Sequence, residues 1–117
     1  MHYRPGTHII ATLSVQHNNL INSYNSFSIL INTLVKEYNL AMLGSVNHNF
    51  TPAGFTAVVC LSESHISIHT WPEHSLINMD IYLSNYEKEN DGTVHNIYNA
   101  IKLFFEATVT AEQIIKR

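Results

Sequence analysis

The segment Phe55–Ser62 is apolar on both of its faces, and this limits the architectures open to the chain. As a strand it sends Phe55, Ala57, Val59 and Leu61 to one side and Val58 and Cys60 to the other. A sheet built around it has two surfaces to keep from water. Only two segments carry helical periodicity. Leu20, Tyr24, Phe27, Ile31, Leu34 and Tyr38 recur at steps of four and three, which predicts a helix running to about Asn39. The cluster His17-Asn18-Asn19 reads as the turn and cap before it. Val94, Ile97, Ile101, Phe104 and Phe105 predict a second helix after the turn Asn90-Asp91-Gly92, with Thr93 as its cap. Two helices cover one face of a sheet. The simplest cover for the other is an identical subunit.

Strands are expected over residues 8–15, 41–48, 55–62, 65–71, 76–84 and 109–115, broken by Pro52-Ala53-Gly54 and Pro72-Glu73. The order β-α-β-β-β-β-α-β is that of an α+β fold, a two-layer sandwich with a largely antiparallel sheet and helices on one face. Its sheets are expected to pack face to face in a dimer. Composition agrees: charged residues make up 13% of the 117-residue chain, about half the usual ~25%, as suits a surface that does not meet water. The length fits a single domain over residues 1–117. The six basic residues are scattered and form no phosphate-tracking stripe, so no nucleic-acid partner is expected. One cysteine, Cys60, excludes an internal disulfide framework and multi-cysteine metal sites. No window approaches the roughly 18 apolar residues of a membrane span. Met1-His2-Tyr3-Arg4-Pro5-Gly6 lacks the apolar core of a signal peptide, so a cytoplasmic location is expected.

Chemistry concentrates in Leu61–Glu73. Alternation sets Ile66 and Ile68 on one face, and His65, Ser67, His69 and Trp71 on the other. The next strand repeats the pattern, with Ile77, Met79, Ile81 and Leu83 opposite Asn78, Asp80, Tyr82 and Ser84. Unpaired polar groups are costly on a covered sheet, so two such rows on consecutive strands point to one site.

The same stretch resembles the small prokaryotic, pyruvoyl-dependent S-adenosylmethionine decarboxylases. Glu63-Ser64-His65 matches their self-cleavage motif, and Ile68-His69-Thr70-Trp71-Pro72-Glu73 continues it. Phe50-Thr51-Pro52-Ala53-Gly54 with Thr56 fits an upstream family pattern, Gly6-Thr7-His8 fits an N-terminal G-x-H, and Asp80 fits a family aspartate. The resemblance implies a proenzyme of polyamine (spermidine) biosynthesis that cuts itself between Glu63 and Ser64 into residues 1–63 and 64–117. Ser64 would attack the Glu63 carbonyl to give an ester. β-Elimination and hydrolysis would then leave a pyruvoyl cofactor in place of Ser64. This group forms a Schiff base with the small-molecule substrate and accepts electrons as CO2 leaves. By the same resemblance Thr56 supplies a hydroxyl near the ester and His69 transfers protons. Phe50 stacks on adenine, Glu73 holds the ribose hydroxyls, and the working form is a homodimer of processed protomers. Trp71 is open to two readings, substrate contact or anchor at the dimer neighbour.

Two positions depart from the family pattern. Ser84 stands where the family has a cysteine as proton donor, and an alcohol is far less acidic than a thiol near 8.5. Tyr82, His69 or a water could replace it. Thr12 stands where an acidic residue is usual. The departures leave three readings: decarboxylation of S-adenosylmethionine, the same scaffold retuned to L-ornithine or L-arginine, or an unprocessed partner of an active chain. No metal is expected: on a strand His65 and His69 stand roughly 13 Å apart, too far to share an ion with His74 or Glu73. Outside the motif, His2, His17, His48 and His95 read as surface or loop residues, and Asp80 reads equally well as a structural acceptor.

Overall fold

The computed structural model describes residues 3–16 and 19–117. Six strands form one sheet in the order β2-β3-β4-β5-β1-β6. They are β1 (Thr7–Ser14), β2 (Met42–Asn49), β3 (Phe55–Leu61), β4 (Ser64–Trp71), β5 (Leu76–Leu83) and β6 (Thr108–Lys116). Every neighbouring pair is antiparallel. The helices α1 (Tyr24–Glu37) and α2 (Asp91–Phe105) join β1 to β2 and β5 to β6. The molecule measures 48 × 27 × 19 Å. Its smallest dimension fits one sheet and one helical layer, about 10 Å each. The fold is therefore α+β with two layers, as the strand and helix order predicts.

The core lies between the sheet and the helices. Ile9, Ala11 and Leu13 of β1, Ile66 and Ile68 of β4, and Ile77, Met79, Ile81 and Leu83 of β5 are all buried there. From the helices come Phe27, Ile31, Leu34, Val94, Ile97, Ile101 and Phe105, at the predicted spacing. Phe27 joins the two helices, its ring stacked 5.8 Å from Phe105, and lies 5.8 Å from Phe55 on β3. Among the described residues no layer covers the opposite face, and Val58, Trp71 and Ile10 lie exposed on it, each about two-fifths or more accessible.

Two predicted caps are corrected. His17 and Asn18 lie outside the described residues, and Asn19 opens a 3-10 turn ending at Ile21. Helix α1 begins after Ser23, because the Tyr24 N–H donates to Asn49 Oδ1 on β2 at 2.8 Å. Helix α2 is capped at Asn90, not Thr93, which sits inside its first turn. The earlier start places Asp91 at the helix N-terminus, where a carboxylate is favoured. There Asp91 accepts hydrogen bonds from Lys116, Thr7 and Asn85, linking α2 to both strands of the β1–β6 edge. The Lys116 bond, aided by the other two, holds its carboxyl down to about 2.

Gly6 explains the glycine of the N-terminal motif. A Cβ there would lie 2.1 Å from the Leu83 carbonyl oxygen, so any larger residue pushes β1 off the end of β5. Gly6→Ala is expected to cost about 1–3 kcal/mol, the range for overpacking against unyielding atoms. Thermal denaturation checks this, and a variant melting with the parent would refute the close approach.

Candidate active site

Antiparallel pairing makes Leu61 and Ser64 partners, so Ser62 and Glu63 form a two-residue turn and the Glu63–Ser64 bond lies where that turn enters β4. Ser64 has φ 153, a region that is essentially glycine's own and is costly for a side chain to hold. Neighbouring groups fix it. The Glu63 carbonyl oxygen accepts the Ser84 N–H at 2.8 Å, and Glu63 Oε1 accepts the Ala41 N–H at 3.3 Å. The backbone of Ser84 thus polarises the carbonyl next to Ser64, whatever its side chain does. A pocket of about 390 Å³ opens at this end, lined by Ser62, Glu63, Ser84, Tyr86, Lys88 and Asn90 among others.

The open face carries a second group of polar residues. Ser67 faces Asp80 across β4 and β5, as the strand parity predicts. Asp80 Oδ2 accepts hydrogen bonds from His8 Nε2 at 2.7 Å and His65 Nε2 at 2.8 Å, and Ser67 donates to Oδ1. Burial pushes the Asp80 carboxyl up, but the hydrogen bonds from Ser67, His8 and His65 together outweigh it and hold the group below the usual carboxylate range. Asp80 thus accepts three hydrogen bonds, two on Oδ2 and one on Oδ1. Tyr82, beside it, donates to the Arg117 carbonyl at 2.8 Å and shares a 3.1 Å hydrogen bond with Tyr3. That bond and burial raise its hydroxyl above the ordinary tyrosine value, making it a weaker acid still.

At the far end of the same strands, Thr56 and His69 are register partners joined by a 2.5 Å hydrogen bond between Oγ1 and Nδ1. They line a pocket of about 410 Å³ with Phe50, Trp71 and Glu73. Gly54, with φ 105, lets the turn before β3 close over it. The structure thus gathers Phe50, Thr56, His69, Trp71 and Glu73 into one pocket, and sets Glu63, Ser64 and Ser84 together elsewhere. The two sets stand apart within one chain. His69 is five residues from Ser64 along β4, roughly 17 Å at the usual strand rise.

Sequence reasoning gave His8 no role and missed the Ser84 N–H. Alternation along β1 sets His8 with Ile10 and Thr12, but only the pairing of β1 with β5 brings His8 opposite Tyr82 and close to Asp80. No residue pattern encodes a backbone donor. The cluster His8, His65 and Asp80 has its ligand atoms within 4.8 Å of one another, a grouping different from the one that strand spacing excludes.

Fold and site together define a two-layer α+β chain whose polar chemistry lies on one uncovered sheet face. The S-adenosylmethionine decarboxylase family model matches residues 7–117, and the chain belongs to that family. An S-adenosylmethionine decarboxylase proenzyme of Archaeoglobus fulgidus is 38% identical over 101 residues, covering 86% of this chain and 84% of that protein. One of the same name from Thermoplasma volcanium is 33% identical over 111 residues, covering 95% and 83%. The crystal structure of the adenosylmethionine decarboxylase from Aquifex aeolicus superposes with a TM-score of 0.83 at 31% identity, covering 99% of this chain and 92% of that one. Among the described residues no helix is long and apolar enough to cross a membrane.

Proposed function

We propose that this chain is the precursor of an S-adenosylmethionine decarboxylase that cuts itself between Glu63 and Ser64 and works as a face-to-face homodimer. The observation that carries this is the state of the Glu63–Ser64 bond. Its carbonyl is polarised by the Ser84 N–H at 2.8 Å, and its serine is held at φ 153. Both features lower the barrier to attack by a neighbouring hydroxyl. The naming of relatives as proenzymes supports the same reading.

Ser64 fits as the source of a pyruvoyl group, which supplies an electron sink for the pair left when CO2 departs. The other residues bind and handle protons. Phe50 and Trp71 offer aromatic faces to an adenine ring and a sulfonium, and Glu73 offers a carboxylate to ribose hydroxyls. His69, oriented by Thr56, moves protons at the α-carbon. Since these residues stand roughly 17 Å from Ser64 along β4, the complete site takes Glu63, Ser64 and Ser84 from one protomer and the Thr56–His69 pocket from its partner. Pairing the open faces covers Ile10, Val58 and Trp71 and brings the two halves together.

A distal ammonium or guanidinium finds no free partner at Asp80, whose oxygens are taken by His8, His65 and Ser67. Glu73 in the Thr56–His69 pocket is the carboxylate left for such a group, and the names of the relatives favour S-adenosylmethionine over ornithine or arginine. Intact mass and CO2 release test the proposal: the purified protein should yield residues 1–63 and 64–117 and decarboxylate S-adenosylmethionine but neither amino acid. An uncut, inactive chain would overturn it. The side chain at position 84 gives a further prediction. Ser84→Cys keeps the N–H on Glu63 and replaces an alcohol with a thiol of pKa near 8.5. Turnover of S-adenosylmethionine should rise about 10²-fold, the lower end of what a positioned acid contributes. Unchanged turnover would mean that another group already does the work.

A further inference from the structure

We infer that His65, oriented by Asp80, is the base that activates Ser64 for the first step of chain cleavage; this rests on the self-cleavage reading above. The argument begins at the edge of the network. Arg117 Nη1 lies 3.2 Å from His8 Nδ1, and a guanidinium only donates. His8 Nδ1 is therefore the acceptor, and its Nε2 carries the proton given to Asp80 Oδ2 at 2.7 Å. Asp80 is a carboxylate that only accepts, so His65 Nε2 is likewise the donor at 2.8 Å. In the neutral ring this leaves the lone pair of His65 on Nδ1. That atom faces Ser64 Oγ at 3.5 Å, a contact of the length catalytic pairs show before they tighten.

The line Ser64 Oγ, His65, Asp80 is thus a nucleophile, a base and a group that orients the base. His65 Nδ1 takes the Oγ proton as the Oγ–C bond to Glu63 forms. The oxyanion develops on the oxygen that already accepts the Ser84 N–H. When the C–N bond breaks, the same proton passes to the departing Ser64 nitrogen, so the balance closes with an ester and a free amine. His69 is not available for this step within the chain, standing roughly 13 Å from His65 along β4. A metal at His8, His65 and Asp80 is a competing use of the cluster. It would occupy His8 Nε2 and force a proton onto Nδ1 against the Arg117 N–H, two donors face to face.

The test is pulse–chase cleavage of the full chain in cell-free translation. His65→Ala should slow conversion of the precursor by about 10²–10⁴-fold, and added imidazole should restore much of the rate. His65→Gln, which keeps an N–H for Asp80 and guards against misfolding, should be equally slow. Asp80→Asn should slow the parent but add little to His65→Ala, because Asp80 acts through the ring. Cleavage of both His65 variants at the parent rate would overturn the inference while leaving self-cleavage intact. So would a slow His65→Ala that imidazole cannot restore, or full additivity with Asp80→Asn. A parent chain that never cuts would instead defeat the underlying reading.

Discussion

Ser64→Ala should leave one intact chain of 13.3 kDa on a denaturing gel, where the parent gives two fragments. The loss is expected to be complete, because no other group can replace the hydroxyl. The hairpin turn places the Ser64 Oγ next to the bond it attacks, while the Ser62 side chain precedes Glu63 and the Thr56 hydroxyl is bonded to His69 at 2.5 Å. Alanine removes one oxygen from a half-buried position at the start of β4, so the uncut chain should still fold and melt in one cooperative transition. That combination separates a chemical defect from a folding one. Fragments 1–63 and 64–117 from the Ser64→Ala protein would refute the mechanism. A single intact chain from both proteins would instead place the chain among unprocessed homologues.

The parts of the fold that follow from local periodicity were readable in the residues. Steps of four and three give α1 and α2, and parity along β4 and β5 separates Ile66, Ile68 and Met79 from His65, Ser67 and Asp80. The helix starts were less legible because long-range partners set them: Asn49 of β2 satisfies the Tyr24 N–H, and Lys116 of β6 holds Asp91. Sheet order was hidden for the same reason. Placing β1 between β5 and β6 is a tertiary choice, and it alone turns His8 from a motif letter into a hydrogen-bond donor to Asp80. The site was legible as residue types and not as distances. Resemblance put Ser64, Thr56 and His69 in one reaction; strand spacing already separates Ser64 from His69 along β4, and the register of β3 on β4 adds that Thr56 sits with His69 and not with Ser64.

That separation yields the sharpest expected result for the dimer. A chain carrying His69→Ala should stay uncut when made alone, since each site then lacks the proton-transfer group. Ser64→Ala alone should also stay uncut. Co-expressed, the two should complement. In a mixed dimer one of the two sites combines the Ser64→Ala protomer's alanine with the missing imidazole and is dead. The other combines Ser64 of the His69→Ala chain with His69 of the Ser64→Ala chain, and is whole. Cleavage should therefore appear on the His69→Ala chain only, in up to about half of the dimers if the two chains pair at random by symmetry. Distinct tags on the two chains make the assignment by mass direct. If Ser64 and His69 instead acted within one chain, the His69→Ala chain would stay uncut beside any partner, because a partner's His69 could not serve its Glu63–Ser64 bond. Complementation distinguishes the two arrangements by presence against absence of a band. It needs no calibrated rate, and it fails cleanly if the open sheet faces do not meet.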